Sequence, residues 1–212
     1  MLFSMGFRDI LIVLPLLIMS LSVHEYAHAR VSSAFGDPTP REQGRLTLNP
    51  LAHLDPMGTL MLLVAGFGWA RPVIIDMRYY KNRNLGLVLT SLAGPLANLG
   101  ITIIILLIFK LIFLFQMVNS AFVVSLFEIL QQAAFLNVLL FVFNMLPIPP
   151  LDGSRLVTAA LWKRPDLSVP YNRYGSYLLL ILILSDRILP IDLFPLGRLA
   201  GGVFYFLVGI IL

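Results

Sequence analysis

The sequence of 212 residues contains no cysteine and few charged residues. Without cysteine the chain has neither disulfide bonds nor thiolate metal ligands. Charged residues make up 12% of the chain, about half of the roughly 25% found in soluble globular proteins. This shortage, together with 58% hydrophobic residues, excludes an ordinary soluble protein and indicates a multi-pass membrane protein in contact with the lipid bilayer.

Three long apolar stretches predict membrane-spanning helices, because a span needs about 20 apolar residues. They cover Phe7–Ser33, Leu85–Phe115 and Glu128–Leu146. The apolar stretch Met57–Ala70 has only 14 residues, which predicts a re-entrant or interfacial segment after the first helix. Between them, Arg45–Asn49 alternates polar and apolar residues, which predicts a short β-strand or hairpin.

The C-terminal part of the chain is ambiguous in sequence. A helix is expected over Ser154–Trp162 and a basic loop over Lys163–Arg173, while the short apolar runs Tyr177–Ser185 and Val203–Leu212 fit two spans, two half-helices or one bent hairpin. We therefore expect an all-α polytopic membrane protein. It would form a single integral-membrane domain over residues 1–212, with a three-helix core at about residues 7–162 and extra C-terminal membrane segments at about residues 174–212.

The distribution of positive charge predicts the orientation in the membrane. Segments 30–45, 71–83 and 155–173 hold 11 of the 15 Lys and Arg residues, whereas segment 116–127 holds none. Because loops rich in Lys and Arg face the cytoplasm, the three basic segments are expected inside and 116–127 outside. Met57–Ala70 would then not cross the membrane, which agrees with its length.

Residues 24–28 read H-E-Y-A-H at the end of the first apolar stretch. Residues four apart lie on one face of a helix, so His24 and His28 can reach one metal ion, with Glu25 beside a metal-bound water. Ionisable groups inside a membrane are costly and mark function by default. The alternative is a pair of histidines that bridges helices or lines a polar cavity.

A third metal ligand is needed, because catalytic zinc sites have three protein ligands and one open position. The acidic candidates near apolar sequence are Asp55, Asp76, Glu128 and Asp152. Glu128 begins its helix on the opposite side of the membrane from the end of the first helix. Asp152 follows that helix to the side where His24 lies, so geometry favours Asp152. Asp152 could also serve as the N-cap of the following helix.

Three motifs resemble the signatures of the site-2 proteases, which are intramembrane zinc metalloproteases. H-E-Y-A-H resembles the first signature, N-M-L-P-I-P-P-L-D-G at 144–153 the second, and G-P-L-A-N at 94–98 an element between them. The order and the intervening helices agree over residues 20–160. The resemblance implies that His24, His28 and Asp152 bind one Zn²⁺ per chain and that Glu25 is the catalytic glutamate.

The resemblance also implies an activity and a location. The expected reaction is hydrolysis of a peptide bond within or near a transmembrane segment of a membrane-protein substrate; no nucleic acid partner is expected. The stretch from Gly44 to Val73 resembles a compact prokaryotic branch, which implies a prokaryotic plasma membrane. The charge distribution then predicts a site toward the cytoplasm. Connection 116–127 is too short for the PDZ domain that some members carry there.

Several roles stay open at this stage. Asn144 could bind the substrate and stabilise the oxyanion or could form an interhelical hydrogen bond, and Asn98 has the same two options. His53 could reach the cavity or stabilise a turn. The predicted strand Arg45–Asn49 could pair with an unwound substrate.

Two other functions fit parts of the pattern. A metal transporter would also place histidine and aspartate in membrane spans, and a different divalent metal could replace zinc. However, a transporter does not need Glu25, and its usual inverted repeats are not visible in the sequence. A protease-like protein that binds membrane partners without cleaving them is the third interpretation.

Overall fold

The computed structural model describes residues 7–65, 68–115, 120–188 and 195–212, and over these ranges it is helical without a β-strand. Leu54 and Ala70 form an isolated antiparallel bridge. The helices are α1 (Phe7–Ala34), α2 (Thr39–Glu42), α3 (Pro50–His53), α4 (Pro56–Ala65), α5 (Arg83–Leu114), α6 (Ala121–Asn144), α7 (Asp152–Ala160), α8 (Pro165–Ile188) and α9 (Leu196–Ile211), with a 3₁₀ turn at Met77–Tyr79.

Three of these helices are long and apolar enough to cross a membrane, namely Leu11–Ala34 within α1, Arg83–Leu114 and Phe122–Asn144 within α6. They are the three spans that the sequence predicts, so the protein is an all-α multi-pass membrane protein. Helix α4 has ten residues, which is about half of the length that a span needs.

The core lies between α1, α5 and α6. Helix α5 packs along both α1 and α6, and α9 packs against α5 and α6. Toward the C-terminal end of α5 the buried contacts are apolar, with Leu106, Phe109 and Val138 joined by Phe204 from α9. Phe109 stacks on Phe127 with ring centroids 4.1 Å apart. This packing fixes the bundle that carries the polar residues at its other end.

Two helix boundaries differ from the sequence prediction. Helix α6 begins at Ala121 instead of Glu128, because Ser120 accepts a hydrogen bond from Val123 N–H and caps the helix seven residues earlier. The predicted basic loop Lys163–Arg173 is mostly helical, since α8 begins at Pro165, a residue suited to the first helical turn. The C-terminal apolar runs form α8 and α9, and residues 189–194 between them lie outside the described ranges.

The predicted strand Arg45–Asn49 is wrong, because these residues form bends instead. Asn49 accepts a hydrogen bond from Leu51 N–H and caps α3, and the hydroxyl of Thr47 accepts one from Asn49 N–H. Such local hydrogen bonds compete with strand pairing. The alternating pattern therefore reflects a capped turn.

Residues 71–76, which we call the strap, form no helix or strand and contact α1 at Glu25. Four of their backbone N–H groups donate to groups outside the strap. Arg71 donates to the His53 carbonyl, Val73 to Glu25, Ile74 to Gln43 and Asp76 to Asp37. The strap therefore follows a defined path between the α2–α3 region and the histidines of α1.

Candidate metal centre

The side chains of His24, His28 and Asp152 converge on one point. Asp152 Oδ2 lies 3.1 Å from the Nε2 atoms of both histidines, and the two Nε2 atoms are 3.0 Å apart. All three residues are at least nine-tenths buried. Among the described residues, this is the group of at least three histidine and acidic side chains that has the spacing of a metal site.

Two local structures bring these residues together. On α1 the two histidines lie one turn apart on the face that meets α5. Asp152 is the first residue of α7, directly after the proline-rich turn that ends α6. Leu151 holds the N-cap position of α7, so the alternative role of Asp152 as N-cap is wrong. Gly153 lets this turn close, because a Cβ there would meet the Leu146 carbonyl oxygen at 2.7 Å.

The other ring nitrogen of each histidine contacts an oxygen acceptor. His24 Nδ1 lies 2.7 Å from Asn98 Oδ1, and His28 Nδ1 lies 2.6 Å from the Thr90 carbonyl oxygen. A carbonyl oxygen accepts hydrogen bonds only, so the proton resides on Nδ1 and the Nε2 lone pair faces the centre. Histidine ligands of metals are oriented by such partners.

This donor set fits a zinc ion. Two Nε2 lone pairs and a carboxylate oxygen face one another, and acceptors at 3.0–3.1 Å repel unless a cation or a proton lies between them. Tetrahedral zinc ligands at about 2.0 Å from the ion are about 3.3 Å apart, close to the spacing observed. Two imidazoles and one carboxylate leave one coordination position open, as in catalytic zinc sites.

Gly94 of α5 provides the space for the two imidazole rings. A Cβ atom at this position would lie 2.6 Å from His24 Nε2 and still closer to His28 Nε2. Any other residue here would therefore displace the Nε2 atoms of the two histidines. In G-P-L-A-N, the glycine makes room for the histidines and Asn98, one turn later, holds one of them.

Asn98 belongs to a buried hydrogen-bond network that links the three spans. Its Nδ2 donates to Asn137 Oδ1 of α6 at 2.8 Å, and Asn137 Nδ2 donates to the Ser20 hydroxyl of α1 at 2.9 Å. All three residues are buried. The bond to Asn137 supports the structural role of Asn98. Asn98 also orients His24 through its Oδ1 atom. Asn137 and Ser20 belong to no motif, so their part in this network is not predictable from the sequence.

Glu25 lies beside the three converging side chains. Its Oε2 accepts a hydrogen bond of 3.1 Å from Val73 N–H in the strap. Glu25 also lines two cavities that meet at His24, one of about 430 Å³ that includes His28 and Asp152 and one of about 260 Å³. The carboxylate is thus accessible from both.

Asn144 also lines both cavities. Its amide nitrogen donates to the Leu140 carbonyl within α6 at 3.0 Å. Both residues belong to α6, so Asn144 forms a hydrogen bond within its own helix and not the interhelical one. The Asn144 side chain therefore borders the same two cavities as Glu25.

The remaining candidates lie away from the centre. His53 is buried, and its Nε2 contacts the Thr47 carbonyl oxygen at 2.8 Å, which supports a structural role next to α3. Asp55 accepts from Gly58 N–H at the start of α4, and Asp76 pairs with Arg78. Glu128 is exposed on α6.

The comparisons with known proteins agree on one family. The model of Peptidase family M50 matches residues 12–185. "Putative zinc metalloprotease YwhC" of Bacillus subtilis (strain 168) is 48% identical over 142 residues, which cover 66% of this chain and 65% of that protein. "Putative zinc metalloprotease Rip2" of Mycobacterium tuberculosis (strain ATCC 25618 / H37Rv) is 31% identical over 178 residues, or 81% of this chain and 66% of that protein.

The chain spans just under two thirds of the length of these relatives. No solved structure matches it. The family match covers most of the chain and includes the two histidines, Glu25, Gly94, Asn98 and Asp152. The chain therefore belongs to peptidase family M50, which confirms its resemblance to the site-2 proteases.

Proposed function

We propose that the protein is an intramembrane zinc metalloprotease that hydrolyses a peptide bond within or near a transmembrane segment of a membrane-protein substrate. The observation that carries this proposal is the convergence of His24, His28 and Asp152 beside Glu25 at the end of a membrane-spanning bundle. The names of the relatives add zinc and proteolysis as the chemistry of similar chains.

In this proposal His24, His28 and Asp152 hold the zinc ion and Glu25 moves protons. A bound zinc ion supplies Lewis acidity and lowers the pKa of a coordinated water to about 7. Glu25 takes a proton from the attacking water and later delivers it to the leaving amine. The Val73 N–H that bonds to Glu25 keeps the carboxylate at the junction of the two cavities.

Asn144 is proposed to bind the substrate backbone. It lies on the wall that both cavities share, and its amide nitrogen is already bonded to Leu140. A side-chain amide near a developing oxyanion contributes to catalysis when its donors are placed in advance. We assign Asn144 the positioning of the scissile carbonyl.

The smaller cavity is proposed to hold an apolar side chain of the substrate. Its walls come from α1, α4 and α6, and Leu17, Leu21 and Phe143 are among its lining residues. Apolar pockets with a few polar groups at one end are typical of ligand sites. A transmembrane substrate supplies the matching apolar side chains.

The charge pattern supports a location in a prokaryotic plasma membrane with the site toward the cytoplasm. The basic segments 30–45, 71–83 and 155–173 flank the end of the bundle where His24 and Asp152 lie, and loops rich in Lys and Arg face the cytoplasm. We further propose that residues 1–212 form a single integral-membrane peptidase domain.

The test is cleavage of a tagged single-span reporter in liposomes by the wild-type protein and by Glu25→Gln. We expect Glu25→Gln to retain zinc but to cleave roughly 1,000-fold more slowly, because general acid–base catalysis contributes about 10²–10⁴-fold. Chelation should abolish wild-type cleavage, and added zinc should restore it.

Glu42→Gln serves as the matched control, because Glu42 is an exposed glutamate of α2. This variant should cleave the reporter like the wild type. Equal cleavage by Glu25→Gln and the wild type would overturn the proposed mechanism. Zinc binding by both proteins, with no cleavage of any reporter, would favour a non-cleaving protein or a transporter.

A further inference from the structure

A further cavity borders the strap, and Glu25 is not among its lining residues. This cavity has a volume of about 550 Å³ and is lined by Gln43, Arg45, Leu51, Arg71 and Ile74, among others. It shares only Pro72 with the larger of the two cavities at the metal centre. The proposed hydrolysis uses none of its charged side chains.

Arg45 is the buried charge of this cavity. The residue is 5% exposed, and its Nη1 atom is buried without a hydrogen-bond partner among the described residues. None of the ion pairs found in the described ranges includes Arg45. A buried charge without a partner is costly, so Arg45 points to a ligand that supplies the opposite charge.

A second cation makes the need for an anion stronger. Arg71, which is exposed, lines the same cavity. Burial and the charge of Arg71 lower the pKa of Arg45, and the charge of Glu25 offsets part of this effect. Arginine nevertheless stays protonated in proteins. Two guanidinium groups around one cavity match an oxyanion, since guanidinium binds phosphate and carboxylate through two hydrogen bonds.

The mouth of the cavity is apolar. Leu51 is 76% exposed and Ile74 is 63% exposed, and both line the cavity beside the two arginines. At a basic surface next to membrane-spanning helices, exposed aliphatic side chains are compatible with acyl chains. A ligand that matches both the arginines and the apolar mouth carries an anionic group and an apolar part. The anionic group contacts Arg45 and Arg71, and the apolar part contacts Leu51 and Ile74.

We propose that this cavity binds the phosphate group of an anionic phospholipid, with Arg45 and Arg71 as its ligands and Leu51 and Ile74 against the acyl chains. The site lies beside the strap, whose Val73 N–H bonds to Glu25. Arg71 begins the strap, and its N–H bonds to the His53 carbonyl at 2.8 Å. The bound headgroup thus contacts the strap through Arg71, and the strap in turn contacts the proposed catalytic residue Glu25.

The experiment is native mass spectrometry of the intact protein, released from an uncharged detergent and titrated with phosphatidylglycerol. Wild type, Arg45→Gln and Arg71→Gln are compared with Arg41→Gln, which removes an exposed arginine of the neighbouring α2 outside the cavity. We expect each cavity variant to raise the apparent Kd by about tenfold or more, because charge-assisted hydrogen bonds are lost. Arg41→Gln should bind like the wild type.

Three further ligands identify what the cavity recognises. Diacylglycerol lacks the phosphate, inorganic phosphate lacks the acyl chains, and a hexaglutamate peptide offers carboxylates only. The proposal requires all three to bind more weakly than phosphatidylglycerol. Equal binding of diacylglycerol, equal binding of inorganic phosphate, or displacement of the lipid by the peptide would each overturn it.

Unchanged phosphatidylglycerol binding in Arg71→Gln would also overturn the proposal. Because Arg71 is exposed, this variant should fold even if Arg45→Gln does not. Since the readout is lipid binding, the outcome is independent of whether the protein cleaves any reporter.

Discussion

The two ends of the α1–α5–α6 bundle use the same helices but different interactions. Near the metal centre the buried side chains are polar, with Asn98, Asn137 and Ser20 bonded to one another. Toward the other end of α5 they are apolar, with Leu106 and Phe109 packed against α6 and α9. Thr102, which donates to the Ala134 carbonyl, lies between the two.

The apolar end stabilises the bundle, whereas the polar end positions the side chains of the candidate metal centre. Buried polar groups are costly unless each finds a partner, so the polar end depends on every member of its network. Packing at the apolar end is not directional and tolerates similar side chains. Substitutions at the polar end should therefore change metal binding, and those at the apolar end should change stability.

Gly94→Ala should have the largest effect, on metal binding. The added Cβ would overlap the Nε2 atoms of both histidines, so we expect roughly 1,000-fold weaker zinc binding, or about 4 kcal/mol. The measurement is a titration against a competing chelator. Gly100→Ala is the control on the same helix, because no atom lies within 4 Å of a Cβ there. Zinc binding at wild-type strength in Gly94→Ala would show that the histidines do not hold the ion where the structure brings them together.

Phe109→Ala should have the largest effect on stability and leave zinc affinity unchanged. Phe109 is 2% exposed and stacks on Phe127. We expect a loss of about 3 kcal/mol in the free energy of unfolding, the low end for phenylalanine truncation, because lipid is as apolar as the protein interior. Denaturation in mixed micelles measures it, with Phe122→Ala as control, since Phe122 is 75% exposed. Weaker zinc binding in Phe109→Ala would mean that the two ends are coupled.

Asn98→Ala should weaken zinc binding by about 10–100-fold, the usual effect of removing a partner of a metal ligand. Its Oδ1 is the group that orients His24. Thr102→Ala, one turn further along α5, removes hydrogen bonds to the Ala134 and Asn98 backbone carbonyls but leaves the Asn98 side chain that orients His24. Isothermal titration with zinc distinguishes them. If both variants lost affinity equally, the network would act through helix packing and not through His24.

The sequence predicted the convergence of His24, His28 and Asp152 because the rules behind that prediction are local or topological. The i, i+4 spacing puts His24 and His28 on one face, and the direction of the spans brings Asp152 to the same end of the bundle. It could not predict the partner of His28, because the Thr90 acceptor is a backbone carbonyl, and every residue has one. Ser20 and Asn137 were equally hidden, since their roles depend on helix rotation.

The wrong predictions share a different cause. The strand at Arg45–Asn49 and the loop at Lys163–Arg173 were inferred from side-chain patterns, whereas capping and proline decided the outcome. Asn49 caps α3 and Pro165 begins α8. Helix ends depend on one or two hydrogen bonds, so patterns over longer windows place them poorly.

The smallest effect is expected at Asp37, outside both ends of the bundle. Burial would raise the pKa of Asp37, but hydrogen bonds from Thr39, the Asp76 N–H and Ser32 outweigh it and lower the pKa below its ordinary value of 3.8. A carboxylate with a lowered folded-state pKa stabilises the protein above pH 3.8, and this contribution is lost as pH falls through the lower folded value.

The difference in Tm between wild type and Asp37→Asn should therefore be full at pH 6 and shrink below about pH 4. Asp166→Asn, which removes an exposed carboxylate of α8, should show a smaller difference at pH 6. A constant difference for Asp37→Asn from pH 6 to pH 3 would mean that Asp37 acts by packing alone and that its charge does not hold the strap.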